Sequence, residues 1–188
     1  MIKVCLNAGH KPGMDPGAVG LKSTEAELAL KFASKATEYL RAVGYNVLLV
    51  QENELEDIVA ASDDFGADVF LSIHMNSAVA KSAYGTETFY AASSSRGRKL
   101  ASCVQAQVET FMVKKRIEQR PSVSEETVKD YSDRGLKTNS LYVVRNTEAP
   151  AALVEVGFIS NALDEEILIN NIDGIAAAIA RGVTDYFA

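Results

Sequence analysis

Hydrophobic and polar residues follow two different periods along the chain, and the periods alternate. Short runs rich in apolar residues, each ending at a glycine or a polar turn, are typical of buried strands. Longer stretches repeat apolar residues at helical spacing. The predicted strands are Lys3–Ala8, Tyr45–Val50, Asp68–His74, Gly85–Ala91, Leu141–Arg145 and Ala152–Val156. The predicted helices are 24–43, Glu54–Phe65, Ser95–Val113, Leu163–Asn170 and a C-terminal helix from Ile172.

This alternation of strands and helices predicts an α/β fold. We expect a single three-layer domain over residues 1–188, with a mostly parallel twisted sheet and helices on both faces. The polar stretch Lys114–Lys137 contains Pro121 and charges of both signs, so it predicts a long connection with at most a short helix at Glu125–Tyr131.

The composition excludes or disfavours several classes of protein. A hydrophobic fraction of 47% in 188 residues excludes a disordered chain. The net charge of −6 argues against nucleic acid as a partner. No apolar run approaches about 18 residues, so no membrane span is expected. The first residues lack a basic region followed by an apolar stretch, so no secretory signal is expected either. Cys5 and Cys103 are too few for a disulfide framework, which leaves a single bridge as the alternative to two free thiols.

Three residues capable of metal or acid–base chemistry occupy the same place in the pattern. His10 follows the first strand, His74 ends the third, and Glu155 lies near the end of the last. Carboxyl ends of parallel strands meet at one edge of a sheet, where α/β proteins bind ligands. Each histidine has a structural role as its alternative. The position of Glu155 indicates a functional site more strongly than the histidines do. A carboxylate in an apolar strand costs free energy unless it is paired or solvated.

The start of the first long helix offers a further ligand. Catalytic zinc sites use three protein ligands and leave the fourth position to water. Thr24 and Glu27 have the spacing of a capping box, which leaves Glu25 free to bind a metal. Acids in a first helical turn also favour the helix dipole, so this purely structural role of Glu25 stays open.

Five segments of the chain together carry a family resemblance. In chain order these are Asn7–His10, Asp15–Ala18, Ser72–Asn76, Arg134–Lys137 and Leu153–Asn161. They resemble the motifs of the zinc-dependent N-acetylmuramoyl-L-alanine amidases, the amidase-3 family. Two departures concern residues around the site: Leu49-Val50-Gln51-Glu52 stands where the family usually has Thr-Arg, and Ala29 where an Asn is common.

The resemblance implies a function and a set of site residues. It implies hydrolysis of the amide between the lactyl group of N-acetylmuramic acid and the L-alanine of the peptidoglycan stem peptide. It also implies one Zn²⁺ per chain with a bound water, held by His10, Glu25 and His74, and Glu155 as the catalytic residue. Candidate substrate contacts are Asn76, Arg134, Lys137 and Asn161. Loop capping is the alternative for the two asparagines, and a solvated surface position is the alternative for the two cations.

Further expectations concern the alternatives and the setting. A zinc peptidase acting on another peptidoglycan amide is the alternative enzyme. A non-catalytic wall-binding relative is disfavoured, because all four key residues are present. We expect a monomeric, endolysin-like or autolysin catalytic domain that acts on the cell wall, without a separate wall-binding module. Without a visible signal, it suits a phage-type release or the catalytic part of a secreted protein. We also expect the segment 114–133 to flank the substrate groove.

Overall fold

The computed structural model describes residues 1–122 and 124–188. Six strands form one sheet: β1 (Lys3–Ala8), β2 (Asn46–Val50), β3 (Val69–Asn76), β4 (Thr86–Tyr90), β5 (Asp133–Thr138) and β6 (Ala151–Phe158). The helices are α1 (Glu25–Ala42), α2 (Leu55–Phe65), α3 (Ser95–Gln119), α4 (Glu125–Ser132), α5 (Tyr142–Asn146), α6 (Ala162–Asn170) and α7 (Ile172–Phe187). The strand order across the sheet is β2-β1-β3-β6-β4-β5.

Four neighbouring strands of this sheet run in the same direction. β1 pairs in parallel with β2 and β3, and β3 pairs in parallel with β6. β4 is antiparallel to β6 and parallel to β5 at the edge. The prediction of a mostly parallel sheet is confirmed. The carboxyl ends of β1, β3 and β6 therefore lie at one edge, where the candidate residues were expected.

Helices cover both faces of the sheet, as predicted, because residues along each strand alternate between two cores. Leu6 of β1 faces the larger core, which contains Phe32 of α1, Val104 of α3 and Ile179 of α7. Cys5, the next residue to Leu6 in β1, faces the smaller core. That core contains Ile58 of α2 and the two valines of α5, Val143 and Val144. Within the described residues, the larger core thus lies beneath α1, α3, α6 and α7, and the smaller core lies beneath α2 and α5.

Three local predictions were wrong or incomplete. Leu141–Arg145, predicted as a strand, lies mostly in helix α5, because five residues with two buried valines cannot distinguish the two periods. β5 falls inside the predicted connection, since an exposed or half-buried edge strand lacks an apolar pattern. α3 continues to Gln119, six residues beyond the predicted end. The short helix expected at Glu125–Tyr131 is α4, and position 123 of this segment lies outside the described residues.

Both cysteines are free, so the alternative of a bridge is excluded. Within the described residues, no helix has the length and apolar character needed to cross a membrane.

Candidate metal centre and its neighbouring carboxylate

Three side chains from three separate elements meet at the carboxyl edge of the sheet. His10 follows β1, Glu25 opens α1, and His74 lies in β3. Glu25 Oε2 is 3.2 Å from His10 Nε2, and Glu25 Oε1 is 2.8 Å from His74 Nδ1. One ligand atom from each of the three residues lies within 4.8 Å of the others. The carboxylate therefore lies between two imidazoles that are 64 positions apart in the sequence.

Each imidazole is held from behind by a polar group. His10 Nδ1 lies 2.6 Å from Asp15 Oδ2, so this nitrogen carries the proton and donates it to the carboxylate. His74 Nε2 lies 3.0 Å from Ser72 Oγ, whose own hydroxyl donates to Asn7 Oδ1. The serine oxygen is thus free to accept from His74 Nε2–H. The ring nitrogen that faces Glu25 is thus the one that would offer a lone pair to a metal ion, which is the orientation that metal-binding histidines adopt. Without an ion, a proton on that nitrogen allows each ring to donate to Glu25.

Glu25 is buried and fixed from several directions. The backbone N–H groups of Ala18 and Met75 donate to its two oxygens at 2.8 and 3.2 Å. Burial alone would raise the pKa of Glu25, but the hydrogen bonds from His10 and His74 lower it well below its usual range. Its negative charge in turn helps to raise the pKa of His10 to about 9, chiefly through their hydrogen bond. The cluster therefore stabilises positive charge placed among its members.

Two glycines leave the space that the cluster needs. A Cβ atom at Gly9 would lie 2.3 Å from the His74 ring. A Cβ atom at Gly17 would lie 2.5 Å from His10 and 2.7 Å from Glu25. Gly17 also has a positive φ of 64°. Any other residue at either position would push into the ligand side chains.

The donor set fits a zinc ion. Two imidazole nitrogens and one carboxylate form a common three-ligand set in catalytic zinc sites. Ligand bonds of about 2.0–2.1 Å in a tetrahedron place neighbouring donor atoms about 3.3 Å apart. The two contacts of Glu25, at 3.2 and 2.8 Å, are close to that separation. Three acceptors facing one another at this distance repel unless protons or a cation lie between them.

Glu155 lies directly beside this cluster. It pairs in register with His74 across β3 and β6. Its Oε2 atom is buried and has no hydrogen-bond partner among the described residues. Burial raises the pKa of Glu155 to about 7. A carboxylate with an unused oxygen and a pKa near neutrality is suited to accept and return a proton.

A second buried carboxylate, Glu87 of β4, pairs in register with Glu155 from the other side. Asn76 Nδ2 donates to Glu87 Oε1 at 2.6 Å, and Arg134 Nε donates to Oε2 at 2.8 Å. Lys137 Nζ donates to the same Oε2. Burial works to raise the pKa of Glu87, but the lysine and arginine lower it below its ordinary value. Three of the four predicted substrate contacts thus meet around one carboxylate next to Glu155.

The fourth predicted contact, Asn161, caps a helix. Its Oδ1 accepts from the N–H groups of Leu163 and Asp164, and its Nδ2 donates to the carbonyl of Lys81. The structure therefore gives Asn161 the capping role that was the alternative to substrate binding. Substrate contact by this residue stays a prediction.

Sequence reasoning assigned no role to three residues that shape this site. Asp15 and Ser72 lie inside segments that carry the family resemblance, so their position close to the histidines was a usable signal. Glu87 lies in a short strand between two threonines, and no local pattern distinguishes it from an exposed strand residue. Only the pairing of β4 with β6 shows its importance.

Comparisons with known proteins agree with this geometry. Residues 4–185 match the Amidase_3 family model, described as N-acetylmuramoyl-L-alanine amidase. The chain is 32% identical over 192 residues to YqiI, an uncharacterized protein of Bacillus subtilis (strain 168), covering 98% of this chain and 84% of YqiI. It is 29% identical to the N-acetylmuramoyl-L-alanine amidase LytC of the same organism, covering 98% of this chain but 35% of LytC.

A solved structure shows the same fold. The catalytic domain of CwlV, an N-acetylmuramoyl-L-alanine amidase from Bacillus (Paenibacillus) polymyxa var. colistinus, superposes with a TM-score of 0.84 at 30% identity. That match covers 100% of this chain and 98% of the CwlV chain.

Proposed function

Because the chain belongs to the Amidase_3 family of N-acetylmuramoyl-L-alanine amidases, we propose that it is a zinc-dependent hydrolase of peptidoglycan. The bond cleaved is the amide between the lactyl group of N-acetylmuramic acid and the L-alanine of the stem peptide. We propose further that residues 1–188 act on the cell wall as a monomeric catalytic domain, without a separate wall-binding module in this stretch.

One observation carries the proposal: an unpartnered buried carboxylate oxygen lies next to a cluster of three metal-binding side chains. Glu155 Oε2 lacks a partner among the described residues, and the neighbouring strand carries His74. An unsatisfied buried acceptor costs free energy and needs an explanation. A proton-transfer role supplies one, because the missing partner is then a water or the substrate amide.

His10, Glu25 and His74 would hold the zinc. When bound, zinc lowers the pKa of a water towards about 7 and polarises the carbonyl of the scissile amide. Asp15 and Ser72 would hold the imidazole rings in the orientation that leaves their lone pairs free. Glu25 would stay ionised throughout, because its pKa is far below neutrality.

Glu155 would act as both base and acid. It would take a proton from the attacking water on its free oxygen and return that proton to the departing alanine nitrogen. General acid–base help of this kind contributes about 10²–10⁴-fold to rate. Asn76, Arg134 and Lys137, gathered around Glu87, are proposed to contact the substrate on the side of Glu155 away from the metal ligands.

The test is Glu155→Gln, which keeps the size and polarity of the side chain but cannot accept the proton. Zinc stoichiometry is measured on the same preparation as product release from a muramoyl-L-alanine amide. We expect zinc to stay bound and hydrolysis to fall by about 10²-fold or more. Glu27→Gln, on the exposed face of α1, is the matched control and should behave as the unmodified protein.

Each other outcome has a definite meaning. Loss of zinc with activity would make Glu155 a ligand, and full activity would remove it from the mechanism. Cleavage of a plain alanine peptide in preference to the muramoyl compound would favour the alternative zinc peptidase. Binding of peptidoglycan without any hydrolysis would favour a wall-binding relative.

A further inference from the structure

A second groove, larger than the pocket lined by His10 and His74, lies at the carboxyl edge of the sheet. It has a volume of about 540 Å³ and lies between the loop before α1 and the start of α6. Its walls are mostly apolar, with Val19 and Leu21 on the loop side and Ile159 and Leu163 on the other. Lys81 and Arg120 also line it.

Both walls of the groove are connected to residues that lie close to the metal cluster. On the loop side, Gly17 lies against His10 and Glu25, two residues before Val19. On the other side, the N–H of Ile159 donates to the carbonyl of Asn76 at 2.9 Å, two residues after His74. Both walls of the groove therefore lie within a few residues of the cluster.

The loop wall is held rigidly by Glu165, a buried residue of α6. Its carboxylate accepts the backbone N–H groups of Leu21, Lys22 and Ser23 at 2.7–3.0 Å, and the hydroxyl of Ser23 at 2.9 Å. The loop approaches so closely that a Cβ atom at Gly20 would lie 2.2 Å from Glu165 Oε1. Four hydrogen bonds to one charged group fix this segment without covering it.

These hydrogen bonds hold the loop while two of its apolar side chains stay exposed to solvent. Leu21 is 82% exposed and Val19 is 62% exposed, although Glu165 fixes the backbone from Leu21 to Ser23. A rigid wall with exposed apolar residues is preorganised for a ligand, because little conformational entropy is lost on binding.

Charge distinguishes this groove from the pocket at the cluster itself. That pocket, of about 230 Å³, is lined by His10, His74, Asp15 and Glu52 and so carries acidic groups. The larger groove carries Lys81 and Arg120, in a chain whose net charge is −6. The Arg120 guanidinium lies over the Tyr84 ring, 5.5 Å from its centre, which restrains its position. Opposite charge across an interface selects partners.

We propose that the larger groove binds the peptide stem of the substrate, with Lys81 and Arg120 as partners for stem carboxylates and with Val19 and Leu21 against its apolar side chains. The inference rests on the proposed function, since it takes the scissile amide to lie at the metal cluster. Any stem that continues beyond L-alanine bears at least its C-terminal carboxylate, which is the group that two cations would recognise.

The test compares two soluble substrates that differ in one group. One is a muramoyl-L-alanyl peptide with a free carboxylate, and the other is the same compound with that carboxylate amidated. In the variant Lys81→Gln/Arg120→Gln we expect KM for the free acid to rise about 5- to 10-fold, with kcat within twofold. KM for the amidated substrate should stay unchanged. Leu21→Ser should raise KM for both substrates.

The control removes the same charge elsewhere. Lys31→Gln/Arg98→Gln changes one exposed lysine on α1 and one exposed arginine on α3, and should leave both KM values unchanged. In parallel, the Kd of the free acid is measured on Glu155→Gln with and without the groove substitutions.

The outcomes separate this inference from the proposed function. Unchanged KM and Kd for the free acid in Lys81→Gln/Arg120→Gln would overturn the groove assignment while leaving the hydrolysis intact. Failure of the unmodified protein to cleave either compound would overturn the proposed function. In that case, the change in Kd caused by the groove substitutions in Glu155→Gln would alone decide the groove assignment.

Discussion

At the scale of single residues, Glu25 is the side chain on which the cluster depends. Each of its carboxylate oxygens faces one histidine, and each also accepts a backbone N–H. Glu27, two positions later, is exposed, and its backbone N–H is capped by Thr24 Oγ1 at 3.4 Å. The two acids of the first helical turn therefore have different surroundings although they are close in sequence.

This difference predicts different effects of their removal. Glu25→Ala should lower the zinc content of the purified protein sharply, because both histidines lose the group between them. Glu27→Ala should keep zinc and cost at most about 0.5–2 kcal/mol of unfolding free energy. Elemental analysis and urea denaturation of the two variants measure both quantities. Equal zinc loss in the two variants would contradict the assignment of Glu25.

At the scale of elements, a buried ion pair ties α3 to α6 and the end of β6. Arg116 of α3 donates from Nε and Nη2 to the two carboxylate oxygens of Asp164 at 2.9 and 3.0 Å. Asp164 Oδ2 also accepts the N–H groups of Phe158 and Gly85. The pair thus joins the end of the strand that carries Glu155 to the helix whose start lines the larger groove.

Arg116→Met should therefore destabilise the protein strongly. It leaves the Asp164 charge buried without its cation, and breaking a buried pair in this way costs about 3–5 kcal/mol. Lys115→Met removes a neighbouring surface pair with the exposed Glu118 and should cost far less, because water screens such a pair. The double variant Arg116→Met/Asp164→Asn should recover part of the loss. Urea denaturation measures all three, and similar values for Arg116→Met and Lys115→Met would refute the argument.

At the scale of the whole molecule, the parallel part of the sheet brings distant residues to one edge. One cost of this arrangement is the burial of Glu155, which raises its pKa from the ordinary value of 4.5 to about 7. The folded protein thus holds a proton there that the unfolded chain releases at lower pH.

The stability of the metal-free protein should depend on pH for this reason. Below pH 4.5 Glu155 is protonated in both the folded and the unfolded state, so it does not change the unfolding free energy. As the pH rises from 4.5 through 7, only the unfolded chain ionises freely, so this group lowers the unfolding free energy. Glu155→Gln removes that effect. In the presence of a chelator, the variant should match the unmodified protein near pH 4 and exceed it by about 1–3 kcal/mol near pH 8.

Urea denaturation of both proteins at several pH values measures the difference, in which titrating groups remote from Glu155 cancel. A difference that stays constant with pH would show that Glu155 is not held protonated by burial.

The sequence by itself determined most of the secondary structure, the fold class and the positions of His10, His74 and Glu155. These follow from local information: the period of apolar residues, and polar side chains at the ends of apolar strands. It also favoured Glu25 over Glu27 through the local spacing of a cap. That spacing could not show both histidines against one carboxylate, because the contact between Glu25 and His74 spans 49 positions.

Only the tertiary structure decided the remainder. The burial of Val143 and Val144 beneath α2 made a helix of an ambiguous apolar run, and pairing with β4 made an edge strand of Asp133–Thr138. Glu87 became the centre of Asn76, Arg134 and Lys137 through contacts across 11 to 50 positions. The hydrogen bonds between Glu165 and the loop before α1 join residues up to 144 positions apart. Hydrogen bonds at such separations leave no periodic pattern in the chain, so folding alone brings these groups together.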